Sequence, residues 1–201
     1  MKELVDNNGV ETYANNNISP TQILDTSEIE VSEDGSLGGV GIPTGVTSFD
    51  GLQSVIVNDD NIHGWQRPLP VGGAGLGEPS ERISTNAAAF RSQILYTSFE
   101  PNADLCEVTS GRSFLTVVDL ITGTPSSFGG LGFDANGVAV PIIPIGDGRA
   151  SSPQLIVSSG LGTNRGTVII QQDTGELKNP SITTGAEEFP ERINWREIRT
   201  E

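Results

Sequence analysis

Two short segments have the residue types and spacing of the beginning of a calcium-binding loop. Residues 134–137 (Asp-Ala-Asn-Gly) place two oxygen ligands two positions apart before a turn glycine, and residues 6–9 (Asp-Asn-Asn-Gly) are similar, with Glu11 nearby. A complete loop needs six or more oxygen ligands, including a later carboxylate. Because the next acid after Gly137 is Asp147, the first segment favours an Asx-type turn, and the second is truncated in the same way. Calcium stays the alternative at both.

The residue types needed for nucleophilic or metal chemistry are scarce. A Ser-His-Asp or Cys-His mechanism would have to use His63, the one histidine of the chain, and no Gly-x-Ser-x-Gly segment is present. One histidine and one cysteine, Cys106, do not supply the usual zinc ligand set. Residues 160–166 are glycine-rich, as a phosphate-binding loop would be. Such a loop must lead into a helix N-terminus, however, and a strand is predicted after this one. We therefore expect no enzyme, and no catalytic, cofactor-binding or metal-binding residues.

Adjacent carboxylates and the two tryptophans also favour structural roles. Asp59-Asp60 and Glu187-Glu188 would point to opposite faces of a strand, which predicts a solvated surface. Tryptophans in β proteins are more often packed than used for recognition, so we expect Trp65 and Trp195 to be packed. Near the C-terminus, Ile193 and Trp195 alternate with polar residues, as in a half-buried strand. We therefore expect Arg196 to carry any contact with a partner there.

The charge and cysteine content narrow the classes of partner. The 201 residues include 11 basic and 26 acidic side chains, for a net charge of −15. Nucleic acid and anionic membranes are not expected partners, because both are bound through basic patches. A single cysteine allows no disulfide within the chain and leaves any partner of Cys106 open. No apolar run suggests a signal peptide or a transmembrane helix.

Short strands separated by turns dominate the predicted structure. The chain has 25 glycines and 12 prolines, which punctuate turns and interrupt helices. No stretch of the sequence combines a sustained helical periodicity of apolar residues with capping residues. The pattern therefore predicts an all-β fold in residues 44–201. Residues 1–43 are acidic and are expected to be largely irregular, with one strand near 27–32. The remaining predicted strands cover residues 52–58, 82–89, 93–99, 113–119, 138–145, 153–158, 166–172 and 192–198.

A weak internal repeat suggests propeller-like blades. Two apolar strands end in similar turns, at residues 117–123 (Val-Val-Asp-Leu-Ile-Thr-Gly) and 169–175 (Ile-Ile-Gln-Gln-Asp-Thr-Gly). The aspartate can bond the turn backbone, and the glycine supplies a positive φ. At about 40–50 residues per blade, residues 44–201 would form at most three blades, fewer than closed propellers use. We expect a part of a larger propeller or assembly, or a different β fold.

Three groups of residues stand out in a fixed order along the chain. The first is Gly64-Trp65-Gln66-Arg67-Pro68-Leu69-Pro70, followed by Glu81-Arg82. The second is a strand ending in Glu100-Pro101, followed by Asp104-Leu105-Cys106. The third is the closing Asn194-Trp195-Arg196. In this order they resemble the C-terminal propeller region of PilY-type proteins of type IV pili.

The resemblance covers about residues 62–199 and implies an exported, non-catalytic protein at the cell surface or pilus tip. Such a protein supports pilus assembly and surface adhesion, with minor pilins, other pilus components, or a host or abiotic surface as partners. The chain departs from the family in lacking the large N-terminal region, a signal peptide and an intact calcium loop. Two alternatives stay open: a quinoprotein-like propeller enzyme, whose blades end in similar turns, and a carbohydrate-binding or structural β domain.

Overall fold

The computed structural model describes residues 20–70, 80–101, 111–157 and 165–184, together with two short strands near the N-terminus. These strands, β1 (Leu4–Val5) and β2 (Glu11–Thr12), pair antiparallel. Several predicted features lie outside the described residues: the calcium-like turn at 6–9, Cys106, most of the loop at 160–166, Glu187-Glu188, and the strand at 192–198 with Trp195 and Arg196.

Short strands also form where the sequence suggested irregular structure. A 3-10 turn (Pro20–Gln22) leads into β3 (Ile23–Asp25), and β4 (Ile29–Val31) and β5 (Leu37–Gly39) form an antiparallel hairpin. The strand expected near 27–32 is thus present as β4. Val31 packs with Phe49 and Ala139 in one small buried cluster, so this cluster joins residues on both sides of position 44.

An α-helix, α1 (Phe49–Asn58), replaces the strand predicted at residues 52–58. Ser48 caps it, because its Oγ accepts a hydrogen bond from the Gly51 N–H at 3.2 Å, and Asp50 lies in the first turn, where the helix dipole favours an acid. Phe49 and Leu52 are buried on one face. The prediction of a strand here, and of no capped helix anywhere, was wrong.

The chain then returns through β6 (Gly64–Gln66), which pairs in parallel with β3, and enters a five-stranded sheet, here called the larger sheet. Its strands run antiparallel in the order β11, β10, β9, with β7 and β8 both paired to the outer side of β9. They are β7 (Arg82–Ile83), β8 (Ala88–Phe90), β9 (Gln93–Pro101), β10 (Gly111–Asp119) and β11 (Ile142–Asp147).

The smaller sheet repeats this design with four strands. Its central strand pairs with β12 on one side and with both β14 and β15 on the other. The strands are β12 (Gln154–Val157), β13 (Arg165–Gln171), β14 (Leu177–Lys178) and β15 (Ser181–Thr183). The expectation of a β-rich chain is confirmed, although the segment predicted as one strand at 82–89 forms two, and that at 138–145 begins later, at Ile142.

One apolar core joins the two sheets. Leu95, Leu115 and Val117 of the larger sheet pack with Val168 and Ile170 of the smaller one. Five consecutive residues of β10, from Leu115 to Asp119, are buried. Because successive side chains of a strand point to opposite faces, the larger sheet is covered on both faces and forms the middle layer.

Candidate partner-binding site

The turn that ends β10 is a compact polar structure. The Asp119 carboxylate is buried, and its Oδ1 accepts hydrogen bonds from the N–H groups of Ile121 and Thr122, both at 3.0 Å. Gly123 closes the turn with a φ of +68°, a conformation that suits glycine. The chemistry predicted for this turn from the sequence is confirmed.

The matching turn after β13 uses its aspartate differently. Gly175 has a φ of +86°, as predicted. The Asp173 carboxylate, however, accepts a hydrogen bond at 3.0 Å from the N–H of Arg149, in the link between the two sheets. This difference arises because Asp173 stands two residues before its glycine, whereas Asp119 stands four residues before Gly123.

Trp65 packs directly on the first of these turns. Its indole N–H donates to the Leu120 carbonyl at 3.0 Å. A Cβ added to Gly123 would come within 2.2 Å of the indole ring, so the ring lies flush against the glycine. Trp65 is therefore a packing residue, as the sequence analysis expected, and it fixes β6 to the larger sheet.

Arg67 extends this junction toward the N-terminal strands. Its Nη1 donates to the Thr26 carbonyl at 2.9 Å, and the buried Thr26 hydroxyl donates to the Gly123 carbonyl at 3.2 Å. Burial lowers the pKa of Arg67, while the nearby Asp25 carboxylate favours its charged form. The Gly-Trp-Gln-Arg segment singled out in the sequence thus holds residues 20–70 against the larger sheet.

A buried polar cluster lies near Arg67, on the face of the larger sheet opposite the smaller sheet. The Ser98 hydroxyl donates to the Glu81 carboxylate, and Tyr96 is 8% exposed. Burial raises the pKa of the Tyr96 phenol. Glu81 and Ser98 are buried as well, so the cluster is shielded from solvent.

Beside Arg67 lies a groove of about 520 Å³, here called the acid-rimmed groove. Its apolar surface comes from the β4–β5 hairpin and from the segment before β11. Three carboxylates and Arg67 stand along it. The residues that define it are Glu28, Ile29, Glu30, Val40, Arg67, Asp134, Val138, Val140 and Pro141.

A second opening, of about 590 Å³ and here called the edge cleft, separates the outer strands of the two sheets. β8 forms one wall and β12 the other, and in the described part of the chain each pairs on one side only. The Asn86 N–H donates to the Ser152 hydroxyl at 3.2 Å at one end of the cleft. The lining residues are 86–90 and 152–155, and three of them are alanines, which leaves room for the side chains of an added strand.

The described carboxylates that the sequence offered for chemistry, at Asp134 and Asp59, bond nearby backbone groups. The Asp134 carboxylate accepts hydrogen bonds from the N–H groups of Asn136 and Val138, at 2.8 and 2.9 Å. These bonds lower the pKa of Asp134 and form the Asx-type turn that was favoured there. Asp59 follows α1 instead of lying in a strand, and its carboxylate accepts from Asn61 at 2.9 Å. His63 is exposed and precedes β6.

Within the described ranges, no group of three or more His, Cys, Asp or Glu side chains is arranged to hold a metal ion. No described helix is long and apolar enough to cross a bilayer.

Neither the groove nor the cleft could be found from the sequence, since each forms between segments far apart in the chain. The nearest signal is the segment from Gly64 to Arg67, which belongs to the first of the three ordered motifs. A scan against protein-family models, and searches of curated proteins and of solved structures, each found no match for this chain.

Proposed function

We propose that this chain is a non-catalytic binding module of the type IV pilus, exported to the cell surface, that supports pilus assembly and surface adhesion by holding minor pilins. The observation that carries the proposal is the edge cleft. Among the described residues, β8 and β12 each pair on one side only, and they stand on either side of a space large enough for an extended segment.

Strand addition gives this cleft a physical mechanism. An edge strand presents a row of backbone N–H and C=O groups, and an extended segment of another protein can pair with them. Main-chain hydrogen bonds supply affinity, and pockets for alternate side chains supply specificity. Ala87 and Ala89 are exposed in the cleft, so they leave space beside the strand without filling it.

The two sheets also support a propeller-like arrangement. Each has a central antiparallel pair that ends in a glycine turn, and the two sheets pack through one core. Blades of a propeller are antiparallel sheets arranged around an axis. We infer that the two sheets are successive blades of a larger propeller-like assembly. The resemblance of the ordered motifs to those of PilY-type proteins is what connects that assembly with pili.

The proposal is tested by co-purification of the full chain with minor pilins from its host under mild solubilisation. Replacing Ala87 and Ala89 by glutamine fills the cleft with bulkier uncharged side chains, and we expect this double variant to lose the pilins. The matched control is Ala135→Gln, an exposed alanine in the loop beside Asp134, which should retain them. Absence of pilins from the wild-type sample, or equal recovery with the cleft variant, would contradict the proposal.

A further inference from the structure

The acid-rimmed groove has an exposed apolar wall. Val40 is 67% exposed at the end of β5. Val138, Val140 and Pro141 continue the apolar surface on the opposite side. An aliphatic side chain that stays this exposed gains free energy when a partner covers it, by about 25 cal/mol for each Å² removed from water.

The charge around this groove is strongly one-sided. Residues 20–70 contain eight acidic side chains and one basic one, Arg67. Three carboxylates, from Glu28, Glu30 and Asp134, line the groove itself. The hydrogen bonds that Asp134 accepts from Asn136 and Val138 hold its pKa below the usual range, so it is ionised at neutral pH.

Arg67 does not neutralise this rim. Its guanidinium already donates to the Thr26 carbonyl at 2.9 Å. It is one positive charge beside the three carboxylates of the groove. The groove therefore presents a net negative rim to solvent.

The two glutamates both stand at the groove. Glu28, in the turn before β4, and Glu30, within β4, are both exposed, whereas Ile29 between them is buried. Side chains two apart on an extended ligand point to the same side. An extended ligand in the groove can therefore direct alternate side chains to these carboxylates, while its other side chains face the apolar wall.

We propose that the acid-rimmed groove binds an extended segment of a partner protein in which lysine or arginine alternates with aliphatic residues. Charge complementarity favours basic side chains at the rim, and the exposed valine favours aliphatic ones between them. This surface is separate from the edge cleft, so the inference goes beyond the pilus function and does not depend on it.

The test uses the full chain and a fluorescein-labelled synthetic peptide of alternating lysine and valine, with binding followed by fluorescence anisotropy. The Glu28→Gln, Glu30→Gln double variant should raise the Kd about two- to tenfold, because exposed ion pairs contribute modestly. Val40→Ser should raise it about two- to fivefold. All three positions are exposed, so we expect these variants to fold, which circular dichroism would check.

The matched control removes the same number of charges from the same region. Glu33 and Asp50 are exposed and do not line the groove, so the Glu33→Gln, Asp50→Asn variant should change the Kd by less than about twofold. The proposal is overturned if the control weakens binding as much as the groove variants do, or if the groove variants bind like the wild type. It is also overturned if a glutamate-valine peptide binds equally well, since Arg67 would then determine the ligand.

Discussion

At the scale of single residues, the contact between Trp65 and Gly123 joins β6 to the turn that ends β10. The sequence predicted a glycine turn after β10 and a packed Trp65, because both follow from local residue types. It could not predict that the two meet, since they are far apart in the chain and their contact depends on the tertiary fold. Nor could it predict that the Asp173 carboxylate would bond Arg149 instead of its own turn.

The Trp65 contact predicts a difference between two otherwise similar glycines. Gly123 and Gly175 both have a positive φ, but an added Cβ would collide with the indole only at Gly123. At Gly175, no described residue other than its chain neighbours has an atom within 4 Å of an added Cβ. Gly175→Ala should cost about 1 kcal/mol of unfolding free energy through backbone strain. Gly123→Ala should cost about 1–3 kcal/mol more. Urea unfolding measures both, and equal losses would show that Trp65 does not pack on this turn.

Burial of Tyr96 predicts a loss of stability at alkaline pH. Its raised pKa means that the folded protein keeps the phenol proton where the unfolded chain, with a pKa of about 10, has released it. Above about pH 10 the unfolded state binds fewer protons, so the free energy of unfolding falls as pH rises toward the folded pKa. Tyr96→Phe should reduce this fall in urea unfolding measured across the alkaline range. Superimposable pH profiles for the two proteins would contradict the assignment.

At the scale of elements, the strands were more predictable than the helix. The long central strands β9, β10 and β13 follow apolar runs rich in branched residues, and these runs predict strands at residues 93–99, 113–119 and 166–172. Residues 52–58 contain Val55, Ile56 and Val57, a run that favours a strand by propensity. The spacing of Phe49, Leu52 and Ile56 together with the Ser48 cap favours a helix. The helix forms because it buries Phe49 and Leu52 on one face.

The helix cap gives a direct test at this scale. Ser48→Ala removes the side-chain acceptor of the Gly51 N–H and should cost about 1 kcal/mol of unfolding free energy. Ser54→Ala, an exposed position inside α1, should be neutral or slightly stabilising because alanine favours helices. Chemical unfolding of both variants measures the difference. If the Ser54 variant lost as much stability as the Ser48 variant, the cap would not be the reason the helix begins there.

At the scale of the whole molecule, the sequence predicted the β-rich class and the acidic character but not the layering. Periodicity identifies a buried strand, yet it does not say what covers each face. Here one face of the larger sheet meets the smaller sheet, and the other carries the Tyr96 cluster near Arg67. The edge cleft lies between the outer strands of the two sheets, and the acid-rimmed groove lies between the β4–β5 hairpin and the segment before β11. Each forms between segments far apart in the chain, which explains why no local pattern revealed them.

The central claim, a non-catalytic role in pilus assembly, is tested most directly by deleting the gene in its host and counting surface pili by electron microscopy. We predict that pili are lost, that the wild-type gene restores them, and that the Ala87→Gln, Ala89→Gln gene does not, while Ala135→Gln does. Unchanged pilus numbers and twitching in the deletion strain would contradict the assembly role.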